Sequence, residues 1–184
     1  MRLTVVSLVG LLAQDTAVLV KETAYARGAK ARAIARDPEL LKAVSAKNQA
    51  AESPEEIQRK DRQWAANPRY SLRKELTQNA CALRLQKLIA DDLLIVEAIL
   101  MDAQGANVCA TSETSDYWQG DEPKWQKPFK EGKALFVDEP ALDASTGAYA
   151  IQLSLPVESG GRKIGALTLT LKLNRQQLRK SGGY

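Results

Sequence analysis

The sequence predicts an α+β chain in which a helical prelude packs on a mainly antiparallel, five-stranded sheet. Three observations lead there. Apolar residues recur at helical spacing up to about residue 90, the period then shortens to strand-like runs, and links containing glycine join some of those runs as hairpins. Strands do not alternate with helices, and no strand runs into a Gly-x-Gly-x-x-Gly or Walker loop, which argues against a doubly wound nucleotide-binding sheet.

The elements follow in order. Met1-Arg2 with the apolar run Leu3 to Ala13 reads either as a signal-peptide core or as the first turns of a long helix. Gln14 and Asp15 end that run well short of the ~20 residues that span a bilayer. Residues 1–20 are set apart on this basis from a domain at 21–178, with 179–184 a polar, glycine-rich, flexible tail. From Asp15 to Arg36 a stretch rich in Ala, Lys, Glu and Arg, without proline, predicts one long helix. Asp37-Pro38 closes it and opens a second, Pro38 to Ala51, because aspartate caps a helix start and proline suits its first position. Ser53-Pro54-Glu55-Glu56 is a capping box that predicts a third helix to about Ala66, where Asn67-Pro68 stops it. A fourth covers Leu72 to Asp91, with Leu72, Leu76, Ala80 and Leu83 on one stripe and Cys81, Leu85 and Leu88 beside it.

Leu93 to Met101 is almost continuously apolar, Asp102-Ala-Gln-Gly105 is a turn, and Asn107 to Thr111 returns as a strand. Ala134 to Val137, Ala148 to Val157 and Lys163 to Leu173 supply three more strands, the last two joined through Ser159-Gly160-Gly161. In the last strand Gly165, Leu167, Leu169, Leu171 and Leu173 share one face, and Ile164, Ala166, Thr168, Thr170 and Lys172 the other, so the two faces differ in burial.

Composition narrows the chemistry. The 184 residues are 45% hydrophobic and 26% charged, as in one globular domain. The 26 basic and 22 acidic residues are interspersed, so the net charge of +4 describes a mixed surface rather than a nucleic-acid footprint. Histidine is absent, which removes the commonest general acid–base group, the usual partner of a nucleophile and the commonest transition-metal ligand. No enzymatic activity, metal or cofactor is therefore expected. Asp121-Glu122 suits the start of a short helix near Pro123 better than a catalytic carboxylate pair. Cys81 and Cys109 admit one disulfide or two buried thiols.

The most informative segment is Thr111 to Gly132. It contains TSDYWQGDEPKWQKPF, a concentration of aromatic residues in a chain with only 5% of them. Long connections in compact domains tend to carry function, and aromatic walls with a few polar groups suit a small-molecule pocket. Tyr117, Trp125 and Lys127 are read as pocket residues; Trp118 and Phe129 fit a pocket or a satellite core under the loop equally well.

The order of these features, with Asp61-x-x-Trp64, Met101-Asp102-Ala-Gln-Gly105, Thr111-Ser112, Asp116-Tyr-Trp-Gln-Gly-Asp-Glu, Asp143-Ala-Ser-Thr-Gly147, Leu155-Pro156-Val157 and Ile164-Gly165-Ala-Leu, resembles the single Cache, or PDC, sensor domains of bacterial receptors. The resemblance covers about Ala24 to Leu178. It implies a long N-terminal helix across a PAS-like sheet, displayed in the periplasm or otherwise outside the cytoplasm, with a carboxylate, amine or amino acid held between sheet and loop. The family's amino-acid-binding pattern has an arginine after the tyrosine; here Glu122 stands at that position, with Lys124 or Lys127 as substitute cations. Asp138 and Asp143 are candidates for the later acid of that pattern, and Tyr149 for its later aromatic. The expected ligand set is Tyr117, Trp118, Trp125, Lys127, Asp143 and Tyr149, and export makes a Cys81–Cys109 disulfide one of the two expectations for the thiols. The expected function is small-molecule binding without an output module of its own, in concert with a membrane-bound signalling partner. The alternative is an interaction module, with no small ligand, that forms a homodimer or meets a receptor through its long N-terminal helix.

Overall fold

The computed structural model describes residues 8–144, 146–174 and 176–177, with side chains from Thr16 onward. The readings of residues 1–7 and of the tail at 179–184 lie outside them.

The expected first helix is two. α1 spans Leu8–Tyr25 and α2 spans Gly28–Ala35. At the break the Arg27 N–H turns to the Ala24 carbonyl at 3.0 Å, and the Arg27 guanidinium donates to the Thr23 carbonyl at 2.9 Å, satisfying an acceptor the break leaves open. Gly28 lies against Leu135, whose Cδ2 is 3.2 Å from where a Cβ would be. α3, Pro38–Ala50, begins as expected at Asp37, whose carboxylate accepts from the backbone of Glu39 and Leu40 and pairs with Arg84. It ends at Ala51 with φ of 48°. α4, Pro54–Ala66, has both bonds of the capping box.

The expected fourth helix is also divided, into α5, Ser71–Gln78, and α6, Ala80–Ile89. Asn79 between them is extended and caps α6, its side-chain oxygen accepting from the Ala82 N–H at 2.8 Å. Its amide donates to the Val108 carbonyl at 3.2 Å, so the break also fastens the helices to the sheet.

The strands are β1, Ile95–Asp102; β2, Asn107–Ala110; β3, Phe136–Val137; β4, Ala141–Asp143; β5, Ala148–Ser159; and β6, Arg162–Leu173. All pair antiparallel in the order β2-β1-β6-β5-β3, with β4 also on β5, so the sheet has six strands rather than the expected five. β4 is three residues long and mostly exposed, which leaves little apolar pattern to announce it. The β5–β6 hairpin turns at Gly160 and Gly161, both at positive φ, as expected.

One face of the sheet is buried under the helices. Val20, Ala24, Ala31, Ile34, Leu40, Val44 and Leu85 pack there on Leu100, Ile151, Leu153, Leu155, Leu167, Leu169 and Leu171. A Cβ at Gly165 of β6 would lie 3.1 Å from Val44 of α3 and 2.1 Å from the Met101 carbonyl oxygen of the adjacent strand. A Cys81–Cys109 disulfide, Cα atoms 5.9 Å apart, ties α6 to β2. Among the described residues no helix is long and apolar enough to cross a membrane.

Candidate ligand-binding site

The other face of the sheet is ordered by register, since paired residues in antiparallel strands point to the same side. One cross-strand row is Met101, Ala166 and Pro156, and the next is Ala110, Ile99, Thr168, Ser154 and Phe136. Beyond them lie Glu97, Thr170 and Gln152, then Lys172, Ala150 and Ala141. The face thus grades from apolar to polar.

A short helix covers the apolar end. α7, Pro123–Trp125, passes directly into a π turn over Gln126–Lys130. Glu122 stands at its N-cap position, as expected for the acids before Pro123, though its carboxylate pairs with Lys124 at 3.0 Å and makes no hydrogen bond to the helix backbone. Trp125 stacks on Phe129 with ring centres 4.9 Å apart, and both rest on Ile99, Met101, Ala110 and Ala166. The Trp125 indole N–H donates to the Asp102 carbonyl at 3.0 Å. Lys163 holds the lid from the side by donating to the Phe129 carbonyl. Beneath the lid, the fully buried hydroxyls of Ser154 and Thr168 bond each other at 2.9 Å.

The polar end is half-buried and carries charge. Glu97 accepts from the hydroxyls of Ser112 and Thr170, each at 2.9 Å, and among the described residues no lysine or arginine pairs with it. Lys172 reaches Asp143 at 3.2 Å, and Asp143 also accepts from Thr146 at 2.8 Å. An acid and a base on one strip next to an aromatic lid can meet both ends of a small zwitterion.

A second cluster anchors the aromatic loop. Asp61 accepts from the backbone N–H groups of Tyr117 and Trp118, each at 3.0 Å. The fully buried Tyr117 donates its hydroxyl to Glu52 at 2.8 Å and accepts from Lys47 at 2.8 Å, while Lys47 and Lys60 both pair with Glu52. Burial pushes the Glu52 carboxyl up, but the bonds from Lys47, Lys60 and Tyr117 outweigh it and hold the group at about 2. Burial and the adjacent Glu52 raise the Tyr117 phenol well above its ordinary value. Trp64 packs on Tyr117 and donates to the Thr114 carbonyl at 2.9 Å; Trp118 donates to the Gln104 carbonyl at 2.7 Å. Gly105 at φ of 82° lets the two turns touch, since a Cβ there would lie 2.5 Å from the Gly120 Cα.

The six ligand residues expected from the sequence therefore occupy different places. Tyr117 and Trp118 are in the anchoring cluster. Trp125 is in the lid, and Lys127 on the same turn pairs with Glu131 at 2.9 Å. Asp143 borders the polar strip. Tyr149 packs on the helix side of the sheet. Sequence reasoning missed Glu97, Thr170 and Gln152 as one row, as well as Lys47 and Glu52. Alternation in the last strand already placed Thr170 and Lys172 on one face, and Asp61-x-x-Trp64 marked the helix that meets Tyr117.

No family model matches the chain, and no curated protein matches it in sequence. Solved structures do. The ligand-binding domain of the Pseudomonas aeruginosa PAO1 amino acid chemoreceptor PctC, in complex with GABA, superposes with a TM-score of 0.52 at 17% identity, over 94% of this chain and 62% of that one. This is the Cache-type sensor fold. The sensor domain of the V. cholerae histidine kinase DctB follows at a TM-score of 0.47 and 14% identity, over 91% and 54% of the two chains. The Pseudomonas fluorescens chemoreceptor CtaA domain with L-alanine gives 0.44 and 15%, over 94% and 61%. The chain spans less than two thirds of the length of each.

Proposed function

We propose that this Cache-fold chain binds a small amine or amino acid on the outer sheet face beside the Trp125–Phe129 lid, as the receiving part of an extracytoplasmic signalling system. The observation that carries the reading is the strip of Glu97, Thr170, Gln152 and Lys172, in which Glu97 has no cationic partner among the described residues. Glu97 receives the ligand's ammonium. Lys172 leaves Asp143 to meet a carboxylate, and Phe129 and Trp125 close the apolar side. Tyr117 and Trp118 act as positioning residues that hold the loop, Tyr149 supports β5 from behind, and Lys127 borders the lid. The GABA complex of the PctC domain supports the ligand class. The disulfide suits an oxidising compartment such as the periplasm, and the signal passes to a membrane-bound partner.

Titration calorimetry with GABA, L-alanine and a panel of primary amines tests this. The expected result is saturable binding of at least one member, weakened at least tenfold in Glu97→Gln while circular dichroism stays unchanged. Absence of binding across the panel, or an unaffected Glu97→Gln, overturns it.

Val18 and Tyr25, seven residues apart on α1 and 55% and 54% exposed, favour a second reading, in which α1 pairs with a second copy. Light scattering would then show a dimer that Val18→Glu dissociates.

A further inference from the structure

A separate groove lies between α2 and the β5–β6 hairpin. β3 pairs with β5 only at Leu153 and Ser154, so the edge of β5 is open beyond that point. The groove has a volume of about 520 Å³ and an apolar floor of Ala35, Leu155 and Pro156. Arg32 of α2 and Arg36, its C-cap residue, are both exposed and line one wall, and Lys163 of β6 lines the other.

The charge in this groove is unbalanced. Among the described residues no carboxylate pairs with Arg32 or Arg36, whereas Lys21, Arg27, Lys47, Arg84 and Lys172 each pair with an acid. Asp37, the residue after Arg36, is turned to Arg84 and the start of α3. Glu158 is the sole acid among the lining residues and is exposed. Lys163 donates to the Phe129 carbonyl and sits 5.7 Å from the Phe129 ring centre, leaving two of its three N–H donors for another partner. Arg32 in the last turn of α2 and Arg36 at its C-cap also suit the helix dipole. That alone accounts for neither the opposing lysine nor the groove between them.

We infer that this groove is a second binding site, for a small phosphorylated metabolite. The phosphate dianion bridges the guanidinium groups of Arg32 and Arg36, which match its oxygens in bidentate geometry, with Lys163 completing the charge. The organic body lies along Leu155 and Pro156. Because Lys163 also holds the lid turn, the groove adjoins the lid, and it shares no residue with the polar strip at the other end of the outer face.

The test is calorimetric titration with glycerol 3-phosphate, inorganic phosphate and sodium chloride at constant ionic strength, on the whole chain and on Arg32→Gln/Arg36→Gln and Lys163→Gln. The expected result is saturable binding of glycerol 3-phosphate, weaker binding of phosphate, none of chloride, and at least a tenfold loss in the double variant. Glu97→Gln should bind glycerol 3-phosphate as the wild type does. Binding that is absent, non-saturable or equal in the double variant overturns the inference. So does a chain that retains anionic lipid vesicles through these residues while ignoring glycerol 3-phosphate.

Discussion

Replacing Glu52 by glutamine removes the charge at the centre of the cluster that anchors the aromatic loop. The carboxyl is held at about 2 against an ordinary 4.5. At ~1.36 kcal/mol per pH unit this gap sets an upper bound of ~3.4 kcal/mol. The Glu52, Lys47 and Lys60 side chains keep 15%, 18% and 22% of their surface, so water screens the pairs and the expected loss is about 2 kcal/mol at pH 7. The sign follows from the depressed value. The contribution is essentially complete well above 4.5 and declines as pH falls through 4.5 and then through 2, below which folded and unfolded carboxyls are both protonated. Urea unfolding of wild type and Glu52→Gln at pH 7, 4.5 and 3 measures it. The difference should be full at pH 7, smaller at pH 4.5 and smallest at pH 3. No difference at pH 7, or one that stays constant to pH 3, refutes the reasoning.

Three further outcomes are expected. Cys81→Ala/Cys109→Ala, which opens a connection of 28 residues, should lower unfolding free energy by about 3–4 kcal/mol on loop-entropy grounds, read as a lower urea midpoint. Asp37→Ala removes the α3 cap and leaves Arg84 without its main partner; about 1–2 kcal/mol should be lost, and thermal unfolding at pH 7 would show it. Trp125→Ala, which deletes the ring stack and the bond to Asp102, should cost about 3–5 kcal/mol and expose the lid end of the sheet to a hydrophobic dye.

The helix starts at Asp37 and Ser53 were legible because capping joins residues three apart, and the glycine turn at 160–161 because its φ values suit little else. The break at Asn79 was not. An asparagine inside an amphipathic run is compatible with a continuous helix until Val108, 29 residues away, offers its carbonyl. β4 escaped for a related reason, since an exposed three-residue strand is defined by its partner rather than by its own pattern.

The candidate site divides in the same way. Alternation within the last strand showed that Thr170 and Lys172 share a face, and composition showed that the loop at 111–132 is unusually aromatic. Pairing across β1, β6 and β5 alone set Glu97 beside Thr170 and Gln152, and the fold alone brought Tyr117 to Glu52 across 65 residues. Local chemistry can be read along the chain because backbone geometry fixes neighbours a few residues apart. Which distant acid meets which base depends on strand register, and register is settled only when the whole sheet and its helices pack together.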